Sequence, residues 1–508
     1  MTSILVGTSL AISILLVLVA LYDLTQKKHA ILRNFPVIGH FRYLLEGIGP
    51  ELRQYIVTGN DEELPFSRDQ RRWVYASAKK QNNYFGFGTD NDQERTPSFL
   101  IIKHSPFPID TPHPGDDAYD PQYPLPCAKV MGAWRGRTKA FRPASVVNVS
   151  GMSFGSLSSA AVEALNRGCA SAGCLHNTGE GGISDYHRRG GDLVWQIGTG
   201  YFGCRAEDGG FSRERFLETV ASAPVKAIEI KLSQGAKPGL GGVLPAAKIT
   251  PEISRIRGIP QGRDCISPSH HRAFSDVSGL LDFVEELADL SGLPVGIKSA
   301  VGQEEFWRTL ARLMDETGRG VDFISVDGGE GGTGAAPLAF SDHVALPFKL
   351  GFSRVYRTFA ERGMAEKVVW NGSGKLGFPE SAVLAFALGC DLVSLAREPM
   401  MAIGCIQAQR CHNGHCPTGV ATQNRWLVRG LDPTSKADRL ANYVLTLRKE
   451  LVRLSHACGV DHPSLLELDH LEILDGNLGC RSARDLFAYQ PGWGLPAATD
   501  RHSVEHSA

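Results

Sequence analysis

At 508 residues the chain is longer than one hydrophobic core usually supports, so a large elaborated domain or two packed domains are expected. A formal net charge of -1, from 53 basic and 54 acidic side chains, excludes an electrostatic grip on nucleic acid. Eleven cysteines in so long a chain exclude a small disulfide scaffold, and 56 glycines, many clustered, mark places where backbone turns sharply or approaches a ligand closely.

Residues 4–22, ILVGTSLAISILLVLVALY, form an uncharged apolar run about as long as a bilayer-crossing helix. Lys27, Lys28 and Arg33 follow it directly, which predicts a single-pass membrane helix with the rest of the chain on the cytoplasmic side. A basic start and a small-residue cleavage site, the marks of a removed signal peptide, are both missing. The anchor and its basic flank take up 1–29. From 30 to 145 aromatics, charges and prolines alternate without a steady period, which predicts an irregular segment wrapping a larger body, with no chemistry assigned to it.

From 146 onward the pattern changes to short β-branched runs separated by helical stretches and Gly-rich turns. The candidate strands are 146–149, 174–177, 193–197, 227–232, 294–298, 322–326, 367–371 and 391–395. Eight such runs interleaved with helices predict a parallel (β/α)8 TIM barrel over 146–430, although the second interval is too short for a full helix. A helical extension and tail are expected over 431–508. Barrel chemistry sits on the loops beyond the strand C-termini, and there the glycine-rich stretches fall. Gly372, Ser373 and Gly374, with Lys375 close by, suit a phosphate held by backbone N–H groups, as do Gly332, Thr333 and Gly334.

The loop after the eighth run, GCIQAQRCHNGHCPTGVATQ, spaces Cys405, Cys411 and Cys416 as Cys-x5-Cys-x4-Cys. Three soft ligands in one glycine-containing loop suit an iron–sulfur cluster, or zinc with His412 or His415 as a fourth ligand. Buried inert thiols are the remaining alternative. The other eight cysteines are scattered and read as core or surface thiols in a reducing compartment.

This loop resembles the cluster loop of the FMN-binding synthase domain of glutamate synthase, where such a triplet precedes CPxGxATQ. The resemblance runs over 146–430, more weakly to 474. It implies a 3Fe-4S cluster on Cys405, Cys411 and Cys416 beside the flavin. The block GMSFGSLSSAAVEALNRGCASAGCLHNTGEGG is similar to the family's flavin-facing segment. On that likeness Met152 and Ser153 lie against the ring, Asn177 and Thr178 near its edge, and Glu180 faces the substrate, where a carboxylate could assist an imine.

In EIKLSQGAKPGLGGVLPAAKITPEISRIR, the residues Lys231, Gln234, Lys237 and Arg257 match positions that contact flavin or 2-oxoglutarate. A dicarboxylate needs two cationic ends, which Lys237 and Arg257 could supply, while Lys231 and Lys298 could balance reduced flavin. Val243 stands where the family's GxGGQLP turn has a polar side chain. Glu330 reads equally well as a solvated turn residue, and His270 and His271 as structural.

The resemblance implies a glutamate synthase-like oxidoreductase that converts 2-oxoglutarate and ammonia, through 2-iminoglutarate, by FMN hydride transfer. No amidotransferase block and no GxGxxG opening a helix after a strand are expected here, so an external donor, a ferredoxin or a reductase subunit, is implied. Another oxo acid or imine as acceptor, or a membrane-anchored electron-transfer subunit, are the alternatives, and self-association is left open.

Overall fold

The computed structural model describes residues 2–505. The chain divides into two compact units, Met1–Asp69 and Gln70–Ala508.

In the first unit, the apolar run forms a helix, Thr2–Thr25, whose side chains from Ile4 on are almost all exposed. It contains one stretch, Ile4–Thr25, long and apolar enough to cross a membrane. After a short helix, Ala30–Asn34, a longer one, Gly39–Leu52, runs into a π-helical turn, Arg53–Val57. The irregular segment expected from residue 30 is therefore largely helical at its start. Gly47, Gly49 and Pro50 obscure the period, because each is a poor helix residue in isolation.

In the second unit eight parallel strands close a barrel in sequence order. They are β1 Val147–Val149, β2 His176–Asn177, β3 Leu193–Ile197, β4 Val225–Lys231, β5 Val295–Ala300, β6 Phe323–Asp327, β7 Val369–Ser373 and β8 Leu392–Leu395. All eight candidate runs become strands, since apolar β-branched residues buried on both faces suit a sheet wrapped by helices. The caps follow local chemistry. Ser158 accepts from the Ala161 N–H to start α1, Ser159–Ala172, and Gly173 ends it at φ 64°. Between β2 and β3 the short interval holds only the 3-10 turn Asp185–His187.

The N-terminal end of the barrel is closed by residues expected only to wrap it. Cys127 and Met131, with Phe141 beside them, pack against Leu175, Val194, Ala227, Phe323, Val369 and Leu392. Bridges Leu125↔Ser145 and Met131↔Phe141 fold this stretch into a plug. Around the plug, Lys129 pairs with Asp391 at 3.2 Å and Arg137 with Asp322 at 3.0 Å, so the charges of that rim are mutually compensated. A polar layer lies above the apolar floor. The Glu229 carboxylate, buried on β4, accepts from Asn177 (2.8 Å), Gln196 (2.7 Å) and Ser325 (2.6 Å).

Beyond the barrel, α2, Pro433–Ala457, is capped by Asp432 and packs on α1 so closely that a β-carbon at Gly168 would come within 2.7 Å of Leu440. The tail is not wholly helical. Leu471–Leu474 pairs antiparallel with both Leu100–Ile102 and Cys480–Ser482, a three-stranded sheet that ties residues from before the barrel to residues after it.

Candidate active site at the barrel mouth

A cleft opens at the C-terminal ends of β1, β5, β6, β7 and β8. Gln234, Lys298, Gly332, Ser373 and Gly374, all picked out in the sequence, line it, together with Ser150, Gly151, Asp327, Gly331, Lys375 and Arg397. Lys298 reaches Ser150 Oγ at 3.3 Å and Asp327 at 3.7 Å, and Asp327 in turn accepts the Gly235 N–H at 2.8 Å. The glycines make room for side chains and backbone. At Gly332 a β-carbon would lie 2.6 Å from Arg397 Cδ, and Gly374 has φ 132°, which L side chains rarely adopt.

Thr333 and Gly334 do not join the lining, and both are exposed. Gly372 is buried, where a β-carbon would meet Cys390 Sγ and Phe348 at 2.9 Å. Met152 and Thr178 are buried as well. Asn177 turns into the barrel, bonding Glu229 while its Oδ1 accepts the Gly179 N–H at 3.0 Å, so it shapes the loop that carries Glu180.

Beside the cleft, Glu180 sits among cations. Lys231 Nζ donates to Glu180 at 2.9 Å and to Gln234 Oε1 at 2.5 Å. Burial pushes the Glu180 carboxyl up, but Lys231, Lys237 and Arg257 together bring it below its ordinary value, so it is ionised. Burial, with repulsion from Lys231, lowers Lys237. Arg257 donates to Phe154 O at 3.0 Å and Ser153 Oγ at 3.2 Å, lies over the Phe202 ring, and leaves its buried Nε without a partner. Three cations face one carboxylate, an excess of positive charge with low-dielectric walls that attracts anions. Glycines frame that carboxylate: β-carbons at Gly198 and Gly242 would each come within 2.7 Å of its oxygens.

Three residues left open in the sequence acquire structural roles. His271 bonds Lys231 O at 2.9 Å and Tyr201 OH at 3.2 Å, holding the end of β4. Glu330 accepts the Phe348 N–H at 2.8 Å at the start of helix Phe348–Ala360. Val243 pairs with Ile266 in a two-stranded ribbon and is 43% exposed.

In the loop after β8, burial and then repulsion from Cys416 raise the Cys411 thiol, and Cys411 and Cys416 both add to the raising of Cys405. Cys405 accepts the Gln407 N–H at 3.5 Å, and burial pushes its thiol up to about 12. Cys416 is the opposite case: burial raises it, but N–H groups of Ala421, Thr418 and Val420 bring it below the ordinary thiol value. Lys248 donates to Cys411 O at 2.7 Å, and Tyr75 OH to Cys405 O at 2.9 Å. All three thiols are free, and among the described residues no three His, Cys, Asp or Glu side chains converge as ligands of one ion. His412 and His415 point outward, both exposed.

Arg397, Asp327 and the Glu229 layer were missed in the sequence. Arg397 and Asp327 stand directly at strand ends, a signal that could have found them. Glu229 stands between two isoleucines in AIEIK and carries no mark of facing inward.

Residues 135–461 match the family model described as a conserved region in glutamate synthase. The chain is 38% identical over 478 residues to the glutamate synthase large subunit-like protein YerD of Bacillus subtilis (strain 168), covering 88% of this chain and 90% of that one. It is 33% identical over 318 residues to the archaeal glutamate synthase (NADPH) of Methanocaldococcus jannaschii, 62% of this chain but 59% of that protein. In the glutamate synthase (NADPH) large chain of Bacillus subtilis the matched part is 20% of the whole. The barrel, its charged mouth and these likenesses agree: the chain belongs to the glutamate synthase family and is an oxidoreductase of that type.

Proposed function

We propose that this protein is a membrane-anchored, FMN- and 3Fe-4S-dependent oxidoreductase that aminates 2-oxoglutarate reductively, through 2-iminoglutarate, with electrons from an external ferredoxin or reductase subunit. The observation that carries this reading is the group of Lys231, Lys237 and Arg257 around Glu180, joined to the cleft through Gln234, which lines it and accepts from Lys231. A dicarboxylate neutralises its excess charge, and Arg257, whose Nε lacks a partner, has donor capacity to spare.

The residues present fit FMN. Gly331, Gly332, Gly374, Lys375 and Arg397 would hold a phosphate at a glycine-and-cation end, and Lys298, beside Ser150 in the same cleft, would balance negative charge on a reduced ring. The triplet fits an iron–sulfur cluster by donor chemistry, since Cys405, Cys411 and Cys416 supply three sulfurs from one loop, and the N–H donors around Cys416 favour its thiolate. Bound FMN supplies hydride at the ring, and the cluster supplies single electrons.

The side chains do the rest. Lys237 and Arg257 hold the carboxylates of 2-oxoglutarate, with Gln234 completing the pocket. Glu180, ionised and held by Lys231, takes protons from the nitrogen as ammonia adds at C2 and passes them to the oxygen, which leaves as water and gives the imine. Its glycine frame keeps it on one side of the substrate. The apolar helix, with Lys27, Lys28 and Arg33 after it, favours a single-pass anchor with the barrel in the cytoplasm.

Visible absorption with iron and acid-labile sulfide analysis of the purified full chain tests the cofactors. A flavin band over a broad iron–sulfur shoulder is expected, and a colourless protein containing zinc would end the reading. Glutamate should then form from 2-oxoglutarate, ammonium and chemically reduced ferredoxin. Val243 favours keeping another oxo acid or imine as a second reading, which turnover of a different acid without glutamate formation would establish.

A further inference from the structure

Helix Gly39–Leu52 and the turn after it belong to no part of the chemistry, yet they carry a run of exposed large apolar side chains. Phe41, Leu44, Leu45, Ile48 and Leu52 recur at three- and four-residue spacing and so share one face. Phe41 is 61% exposed, Leu44 59% and Ile48 43%, and Ile56 continues the stripe at 70%. On the opposite side lie Arg42, Glu46 and Arg53, with an Arg42–Glu46 ion pair at 2.6 Å. A stripe of this length open to water is unfavourable for a soluble surface and marks an interaction site.

Its position identifies the partner. Asp23, the only charged residue of the long apolar helix, accepts the Val37 N–H at 2.9 Å and meets His40 Nε2 at 3.0 Å. Gly39 completes the corner, since a β-carbon there would lie 3.0 Å from Leu32. The start of the striped helix is thereby fastened to the end of the membrane-length helix. Between them Lys27, Lys28 and Arg33 are all exposed, at the level where anionic headgroups would stand. An apolar face, an opposite charged face and a flanking basic cluster are the features of a helix lying in a membrane interface.

We infer that Gly39–Leu52 lies flat on the bilayer, with Phe41, Leu44, Leu45, Ile48 and Leu52 in the headgroup–acyl boundary, so that the chain is held by a span and an in-plane helix together. This rests on the reading of Thr2–Thr25 as a span. The Asp23 contacts hold the two elements in fixed relation, and the in-plane helix prevents the span from rotating about its own axis.

The test is photo-crosslinking of the full chain in the membranes of its expression host, with p-benzoylphenylalanine placed singly at Leu15, Leu44, Ile48 or Glu46. Lipid adducts at Leu44 and Ile48 comparable to those at Leu15, and several-fold fewer at Glu46, are expected. Lipid adducts at Leu15 with protein adducts, or none, at Leu44 and Ile48 would overturn the in-plane helix while leaving the span intact; protein adducts would assign the stripe to a second copy or another partner. No lipid adduct at Leu15 would remove the span, and the inference with it. Protease protection of each variant, equal to that of the unsubstituted chain, checks that the label has not unfolded the segment.

Discussion

The two ends of the barrel are made by the same eight strands and have opposite character. At the N-terminal end, Cys127 and Met131 fill an apolar floor, and the charges of the rim, Lys129 with Asp391 and Arg137 with Asp322, are paired. At the C-terminal end, cations outnumber carboxylates, glycines replace side chains, and a cleft stays open. One end spends its residues on packing and the other leaves charge uncompensated for an anionic ligand. Substitutions at the floor should therefore move stability without touching turnover, and substitutions at the mouth the reverse.

The largest expected effect is at the mouth. Lys237→Met removes a cation proposed to hold a carboxylate and should lower kcat/KM by about 10²–10³-fold with little change in Tm, the cost of leaving a buried charge unpaired. Steady-state kinetics against calorimetry decides it, and an equal loss of stability would break the division between the ends.

Acid should weaken the mouth next. Burial lowers His271 to about 4 from 6.5, so the folded protein holds it neutral where the unfolded chain takes up a proton. Its stabilisation is complete above pH 6.5 and is lost as pH falls from 6.5 towards 4, roughly 3 kcal/mol in all. Denaturant unfolding at stepped pH should show that slope, and His271→Gln should flatten it. His462, also lowered to about 4 by burial, contributes in the same direction near Pro126 at the floor, so the slope should be reduced and not abolished.

At the floor, Met131→Ala opens a cavity among buried side chains and should cost about 3 kcal/mol while leaving the kcat of folded enzyme within about twofold. A fall in kcat without loss of stability would mean the ends are coupled. The smallest effect is expected from Gly242→Ala, whose β-carbon would come 2.7 Å from Glu180 Oε1. Shifting that carboxylate off Lys231 should lower kcat about tenfold with Tm unchanged.

Much of this organisation is legible in the residues. The eight strands can be read because each is a short β-branched run ending in a turn, and part of the charged mouth because Glu180, Lys231 and Lys237 stand at or just beyond strand ends; Arg257, at the end of helix Pro251–Arg257, gives no such signal. Glu229 is not legible, since an acid alternating with isoleucines looks like the wet face of a strand until closure turns it inward onto Asn177, Gln196 and Ser325. Nor is the support of the cysteine loop by Tyr75, 330 positions earlier in the chain. Helix Gly39–Leu52 shows the reverse failure: its stripe is periodic, but Gly47, Gly49 and Pro50 hide it.

By itself the sequence determined the barrel, because period and turn residues are local properties written in consecutive residues, while the class of chemistry was legible through the resemblance of its cysteine loop and glycine-rich blocks to the glutamate synthase family. Only the tertiary structure decided which stretch plugs the floor, which acid faces inward, and that three cations separated along the chain converge on one carboxylate. Those are facts of closure, in which distant segments come within bonding reach and burial strengthens the interaction of each charge with its neighbours.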